Sequence, residues 1–223
     1  MDSELWTKVD HYLERVSTAQ DAVLEETLQA CEQAGLPAIA VSPSQGKLLY
    51  LLAKSIRAQM ILEIGTLGGY STIWLARALP AGGRAISLEL EPTHAEVARQ
   101  NIARARLDEF VDIRVGPALE TLPTLLSEFG ATFDFVFIDA DKTELAEYLD
   151  WSVQLTKSGG LILADNVVRE GEVANPVNTD PQVVGARTFL DRVAQDPRLE
   201  STVMQTVGSK GHDGFALIRV QHQ

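Results

Sequence analysis

The spacing of hydrophobic residues along the chain changes at about residue 60. Before that point, apolar side chains such as Leu5 and Val9 recur every three or four positions, which is typical of one face of an α-helix. This spacing predicts helices over residues 3 to 35 and a further helix from about 42 to 56. Ser42 suits the start of the last helix because its hydroxyl can accept a backbone N–H hydrogen bond there.

From residue 60 onward, short apolar runs alternate with helical patterns. Five runs are predicted to be strands, at residues 60–64, 84–88, 111–115, 133–138 and 160–164. Helices are predicted at about residues 70–79, 92–105, 117–128, 143–155 and 181–194. This alternation predicts an α/β fold with a mainly parallel sheet that is covered by helices on both faces.

The end of the chain shows a different pattern. Two strand-like runs, 202–207 and 215–220, are separated by the glycine-rich residues 208–214. This arrangement predicts an antiparallel hairpin at the end of the sheet, which brings the sheet to seven strands. The polar segment before the last helix, residues 169–179, is predicted to be irregular.

The chain shows no internal repeat and no linker, so its 223 residues are predicted to form one domain. Within it, residues 1–35 are a helical addition to a core formed by residues 36–223. A net charge of −12 argues against a nucleic-acid partner because it repels phosphates. The single cysteine, Cys31, excludes an internal disulfide and suits a reducing compartment. With no signal peptide and no apolar run near the roughly 18 residues of a membrane span, the chain is predicted to be cytoplasmic, without a membrane partner.

The segment from Glu63 to Ser71 follows the first predicted strand, and ligands of open α/β sheets bind beyond the carboxyl ends of strands. Its glycines allow sharp turns and a close approach of the backbone to a ligand. A dinucleotide fingerprint would need glycine at 65, 67 and 70, and Leu67 and Tyr70 break it. An acid at Glu63 suits a cationic ligand group better than a pyrophosphate, although a glycine-rich turn with Glu63 in a purely structural pair remains an alternative.

The second predicted strand ends in Glu89, 24 residues after Gly65. An acid at roughly this distance can hold the two hydroxyls of a ribose. Glu91 lies nearby, but it precedes a proline and is more simply an acid at a helix start, where the helix dipole favours it. After the third strand, the run Gly116-Pro117-Ala118 could leave room for an adenine ring, or it could simply be a helix start with a proline at its first position.

Acidic residues follow the fourth and fifth predicted strands. Asp139 comes directly after one strand, and Asp165 and Asn166 come directly after the other. If the two strands are neighbours, these three oxygen ligands would suit a hard cation such as Mg²⁺. Taken singly, an Asp after a strand is often a helix cap, and Asp-Asn is a common turn pair. No Cys/His cluster supports a zinc site.

On these residues, the chain resembles the class I S-adenosylmethionine-dependent O-methyltransferases of the caffeoyl-CoA and catechol type. The resemblance covers roughly residues 36 to 220 and is carried by residues 63–71, 137–142 and 165–166. It implies a Rossmann-like methyltransferase fold. It also implies divalent-metal-dependent transfer of a methyl group from S-adenosylmethionine to a hydroxyl of a small catechol-like substrate, a hydroxylated aromatic. A homodimer is expected.

The resemblance also implies roles for individual residues. Contacts to S-adenosylmethionine are expected from Val41, Glu63, Gly65, Thr66, Ser71, Glu89, Ala118 and Asp139. The metal, Mg²⁺ with Mn²⁺ or Ca²⁺ as alternatives, would be bound by Asp139, Asp165 and Asn166. Lys142 is the candidate base, and Asp139 is counted with it as catalytic.

Three other interpretations of the sequence remain open. A metal-independent methyltransferase acting on another small molecule would use the same cofactor loops. A nicotinamide-dependent oxidoreductase could share the sheet, although its glycine fingerprint is broken. A non-catalytic cofactor-binding or scaffold protein is the third, since a fold does not determine a function.

Overall fold

The computed structural model describes residues 3–18 and 21–221. The predicted helical stretch 3–35 includes residues 19 and 20, which lie outside this description. Within that stretch the described residues form two helices, and a third helix begins at Pro43. The helices are α1 Ser3–Ser17, α2 Ala22–Gln33, α3 Pro43–Ser55, α4 Tyr70–Ala78, α5 Pro92–Arg104, α6 Ala118–Phe129, α7 Leu145–Leu155 and α8 Pro181–Gln195.

The described residues contain a seven-stranded sheet in the order β3-β2-β1-β4-β5-β7-β6. The strands are β1 Met60–Ile64, β2 Arg84–Glu89, β3 Val111–Val115, β4 Phe133–Ile138, β5 Thr156–Asp165, β6 Leu199–Gly208 and β7 Gly211–Val220. The predicted fold class is confirmed, because parallel strands are followed by an antiparallel hairpin at the carboxyl end.

The chain divides into two compact units, residues 13–121 and residues 1–12 with 122–223. In the first unit, β2 pairs in parallel with both β1 and β3. Strand β1 is almost wholly buried, whereas β3 is half-buried up to Val115, which is exposed. The N-terminal helices are unequal: α2 buries Leu24 and Cys31, while α1 has no buried residue. The single-domain prediction stays a prediction.

In the second unit, β4 is buried at every position and pairs in parallel with β5, with Ile138 opposite Ala164. Strand β5 then pairs antiparallel with β7, which in turn pairs with β6. The predicted seven-residue link of the hairpin was wrong. Strands β6 and β7 pair up to Gly208 and Gly211, so only Ser209 and Lys210 form the turn. Polar side chains are tolerated here because β6 is exposed along most of its length.

Strand β5 begins four residues earlier than the apolar pattern indicated, at Thr156. The polar segment after it contains a short, irregular 3-10 stretch, Arg169–Ala174. Among the helices described, none has the length and apolarity needed to cross a membrane.

Candidate functional site in two regions of the chain

The loop after β1 has the sharp turns that its glycines predicted. Gly65 has a φ of 98° and donates its N–H to the carbonyl of Leu88 at 2.9 Å. Gly69, which precedes α4, has a φ of 85°. Leu67 also adopts a left-handed conformation, with a φ of 49°. A side chain at Gly68 would collide with Cys31, so this glycine allows α2 to pack against the loop.

Glu63, on β1, is buried and bound by hydroxyl groups. One carboxylate oxygen accepts a hydrogen bond from Ser71 at 2.6 Å, and the other accepts from Thr72 and from Ser87, the latter at 2.6 Å. Each hydroxyl favours the charged form of the carboxylate by donating to it. Glu63 and Ser71, both expected to contact the cofactor, therefore also contact each other, and these hydroxyl contacts are compatible with the structural alternative for Glu63.

Glu89, at the end of β2, lies against the same loop. Its Oε2 accepts from the backbone N–H groups of Thr66 at 3.1 Å and Leu67 at 2.7 Å. Its Oε1 accepts from the N–H of Glu91 at 2.9 Å. A carboxylate offers about four acceptor positions. Glu89 can therefore shape the loop and still accept a hydroxyl of a ligand.

Glu91 and His94 are neighbours of Glu89 at the start of α5. Glu91 is the residue directly before α5, as its prediction as a helix-start acid required, and its side chain makes no capping bond. The side chain of His94 is 23% exposed, and its Nδ1 lies 3.5 Å from Oε1 of Glu89. Glu89 belongs to β2 and His94 to α5, so helical spacing does not indicate this contact.

Two of the three remaining cofactor candidates lie at helix starts in the same unit. Val41 is buried and directly precedes Ser42, the N-cap of α3, whose hydroxyl accepts from the N–H of Gln45 at 3.2 Å. Ala118 is the first residue of α6 and is half-buried. It follows Gly116, whose φ of 137° turns the chain out of β3.

The acidic candidates lie in the other unit, at the ends of β4 and β5. The two strands are neighbours, as the metal prediction required, and Asp139 and Asp165 each come one residue after the registered pair Ile138 and Ala164. Asp165 is 6% exposed, and its Oδ1 accepts from the N–H of Asn166 at 2.9 Å. Asn166 is left-handed, with a φ of 56°.

Lys142 is buried and directed at Asp139. Its side chain is 5% exposed, and its Nζ lies 3.2 Å from Oδ1 of Asp139. A buried ammonium group is stable only when it is paired in this way. The fold brings Lys142 this close with the help of Gly185 in α8, because a Cβ there would lie 2.0 Å from the carbonyl oxygen of Lys142. Nothing in the sequence pattern distinguished Gly185.

A second lysine, Lys210 in the β6–β7 turn, acts on the same carboxylates. Although the residue as a whole is exposed, burial of its ammonium group lowers the pKa of Lys210, and the charges of Asp139 and Asp165 act in the opposite direction. Sequence reasoning missed this residue because its distance from Asp165 along the chain is closed only by the pairing of β5 with β7.

The donor set fits a hard cation in part. Within residues 3–18 and 21–221, no three His, Cys, Asp or Glu side chains gather closely enough to hold a metal ion. The candidate set is therefore two carboxylates and the amide of Asn166. Mg²⁺ often takes one or two carboxylates and keeps several waters, so this set has the right chemistry for it.

A model of the O-methyltransferase family matches residues 14–220. The chain belongs to the O-methyltransferase family. A catechol O-methyltransferase from Niastella koreensis is 47% identical over 221 residues, which cover 99% of this chain and 100% of the relative. The expected enzyme class is therefore confirmed, and the oxidoreductase and scaffold interpretations are not retained.

Solved structures of family members agree with this assignment. The O-methyltransferase from Bacillus cereus, crystallised in complex with SAH, is 50% identical with a TM-score of 0.96, and the match covers 98% of this chain and 99% of that one. TomG from Streptomyces achromogenes, involved in tomaymycin synthesis and crystallised with SAM, is 44% identical with a TM-score of 0.96 over 100% of both chains. The Rossmann-like methyltransferase fold is confirmed.

Proposed function

We propose that this O-methyltransferase moves a methyl group from S-adenosylmethionine to one hydroxyl of a vicinal dihydroxy aromatic molecule, and that it needs a divalent cation, Mg²⁺ first. The observation that carries the proposal is the pair of carboxylates, Asp139 and Asp165, at the ends of neighbouring strands, with Asn166 beside them. The 47% identity to a catechol O-methyltransferase supports the substrate class.

S-adenosylmethionine as the methyl donor is supported by family members solved with SAM or SAH. We assign its binding to Val41, Glu63, Gly65, Thr66, Ser71, Glu89, Ala118 and Asp139. Within this set, Glu89 has acceptor capacity for a ribose hydroxyl, and Gly65 lets the backbone approach a ligand closely. The contact of Asp139 with the cofactor stays a prediction.

We assign the metal to Asp139, Asp165 and Asn166. A bound dication would favour the ionised form of a substrate hydroxyl, whose free pKa is about 10 for a phenol. Lys142 is the proposed proton acceptor, supported by its burial and by its bond to Asp139. As the substrate oxygen bonds to the methyl carbon, the carbon–sulfur bond breaks and its electron pair stays on sulfur. The hydroxyl proton would go to Nζ of Lys142, which can accept it only as a neutral amine, after releasing its own extra proton to solvent.

A homodimer and a cytoplasmic location complete the proposal. The dimer is supported by α1, which exposes one apolar stripe to solvent, namely Leu5, Val9, Tyr12, Leu13 and Val16. Apolar patches of this kind often mark a protein interface. Sedimentation at micromolar concentration should give twice the chain mass, and a monomer mass would refute the dimer.

The deciding experiment combines chelation with the Asp139→Ala variant. Calorimetry should show that the wild-type protein binds S-adenosylmethionine. Methyl transfer to a panel of catechols should require Mg²⁺ and stop when a chelator is in excess. Asp139→Ala should reduce turnover by about 1,000-fold or more, because it removes a metal ligand and the partner of a buried lysine.

Each result decides a different part of the proposal. Transfer that survives chelation would remove the metal and favour the metal-independent methyltransferase, in which the ammonium groups of Lys142 and Lys210 would supply the positive charge. Transfer to other hydroxyl compounds but not to catechols would refute the proposed substrate class. Failure to bind S-adenosylmethionine would refute it as the methyl donor.

A further inference from the structure

The segment after β5 is held by two consecutive residues of β7, Asp213 and Gly214. The N–H of Val167 donates to the carbonyl of Gly214 at 3.0 Å. The N–H groups of Val168 and Arg169 both donate to Oδ1 of Asp213, at 3.0 and 2.9 Å. Three consecutive backbone amides are thus bound by one dipeptide, which we call the Asp213 clamp.

The clamp holds backbone that is strained on both sides. Asn166, just before it, has a φ of 56°, and Arg169 and Glu170, at its end, have φ values of 54° and 58°. Left-handed conformations in residues other than glycine are costly and persist where the surroundings fix them. Val167 and Val168 are 0% and 5% exposed, so water cannot readily replace the clamp as acceptor.

The second half of the clamp is fixed by packing. A Cβ at Gly214 would lie 2.3 Å from the carbonyl oxygen of Met204 on β6 and 2.6 Å from Val168. Gly214 itself donates its N–H to Oδ1 of Asp213 at 2.9 Å. The Asp213 carboxylate is therefore held within the hairpin by Gly214, and its Oδ2 also lies 3.8 Å from Nη1 of Arg169 in the loop that it binds.

We infer that Asp213 is a positioning residue for the cation, acting through Asn166. It lies outside the set of metal ligands, but it fixes the backbone from the residue after Asn166 onward and so holds the Asn166 amide beside Asp165. This inference rests on the proposed metal site. It assigns to the β7 carboxylate the task of orienting a ligand, and groups in such supporting positions commonly change metal affinity by about 10- to 100-fold when removed.

The test is a titration of the full-length protein with Mn²⁺ alone, followed by the paramagnetic signal of the free ion. Asp213→Ala removes the acceptor, Asp213→Glu shifts it by one methylene while keeping the charge, and Asp213→Asn keeps an acceptor oxygen in place. The matched control is Asp180→Ala, since Asp180 also binds a backbone amide, that of Gln182 at 2.8 Å, but at the start of α8.

We expect Asp213→Ala and Asp213→Glu to weaken Mn²⁺ binding by about 10- to 100-fold, with Asp213→Asn and Asp180→Ala close to the wild type. Circular dichroism identifies variants that fail to fold, and Asp213→Glu then decides in place of Asp213→Ala. Equal affinities in all variants, or an equal loss that includes Asp180→Ala, would overturn the positioning role while the wild-type titration still supports the metal site. A wild-type protein that binds no Mn²⁺ would overturn both.

Discussion

The two regions that carry the candidate site use their acidic residues in opposite ways. In residues 13–121, Glu63 accepts from three side-chain hydroxyls and Glu89 from three backbone amides. In residues 122–223, Asp139 pairs with the ammonium group of Lys142. The donors to the two glutamates are neutral, whereas the donor to Asp139 carries a positive charge.

The difference indicates two kinds of task. A carboxylate that is surrounded by fixed neutral donors shapes a loop and presents a preorganised surface to a ligand. A carboxylate that is paired with a lysine can exchange that positive charge for another cation, and the lysine can accept a proton once it is a neutral amine. The first region is therefore suited to binding a cofactor, and the second is suited to the chemistry. The predictions below test whether the two tasks can be separated.

Among the predictions that sharpen this comparison, the largest effect is expected from a substitution at Glu89. Glu89→Ala should weaken S-adenosylmethionine binding by about 10- to 100-fold, because hydrogen bonds to a charged group each contribute about 1.5–3 kcal/mol and the amides of Thr66 and Leu67 lose their acceptor. Calorimetric titration measures the affinity. Mn²⁺ binding in the same variant should stay unchanged.

The matched control for Glu89 is Glu91→Ala, which removes an acid two residues away whose side chain makes no capping bond. It should leave the affinity for S-adenosylmethionine unchanged. Equal losses in both variants would mean that general negative charge, rather than the position of Glu89, attracts the cofactor. No loss in either would remove Glu89 from the cofactor site.

Strands and helix starts could be predicted from sequence because their causes are local. The bounds of β1, β3 and β4 agree with the apolar runs, and Ser42 caps α3 as its side-chain chemistry indicated. The placement of Asp139 beside Asp165 also followed from sequence, because neighbouring parallel strands end at the same edge.

The contacts that sequence reasoning missed all depend on pairing between distant segments. Lys210 acts on Asp165 only because β7 pairs with β5, and Asp213 binds the loop after β5 for the same reason. Gly185 matters only because α8 packs against the backbone at Lys142. The hydrophobic periodicity of a single stretch of sequence does not indicate such a contact. The ten-residue strand β6 was underestimated because the residues missed at its ends, Leu199 to Ser201 and Gly208, do not continue the apolar run.

A smaller effect is expected from Gly185→Ala, which tests the second region alone. The new methyl group would collide with the carbonyl of Lys142, and overpacking of this kind typically costs about 1–3 kcal/mol of unfolding free energy. The displaced Lys142 should also lower turnover, while the affinity for S-adenosylmethionine stays at the wild-type value. Urea unfolding and steady-state kinetics measure the two effects.

Thr188→Ala is the control in the same helix, because Thr188 is exposed and bonds only to the carbonyl of Val184. It should change neither stability nor turnover by a measurable amount. If Gly185→Ala destabilises the protein but keeps full turnover, the position of Lys142 is not critical, and its role as the base would have to be given up.

The smallest effect concerns Asp21 and Arg77, a carboxylate–cation pair in the first region. Burial alone would raise the pKa of Asp21, but hydrogen bonds from Arg77 and from the amide of Leu24, with the charge of Arg77, more than offset it and lower that pKa. Because the pKa of Asp21 is lower in the folded state, its ionised form stabilises the fold at pH values above the unfolded-state pKa of about 3.9. That stability is lost as the pH falls through the folded-state pKa.

Asp21→Asn should therefore destabilise the protein at pH 7 by at most about 1 kcal/mol, since the pair is partly exposed to solvent and asparagine can still cap α2. Urea unfolding from pH 7 down to pH 4 should show the gap between variant and wild type beginning to narrow at the acid end. Turnover and Mn²⁺ affinity should not change. A loss of activity comparable to that of Asp139→Ala would mean that ion pairs in both regions serve the chemistry, and the division of tasks between hydrogen-bonded glutamates and lysine-paired aspartates would fail.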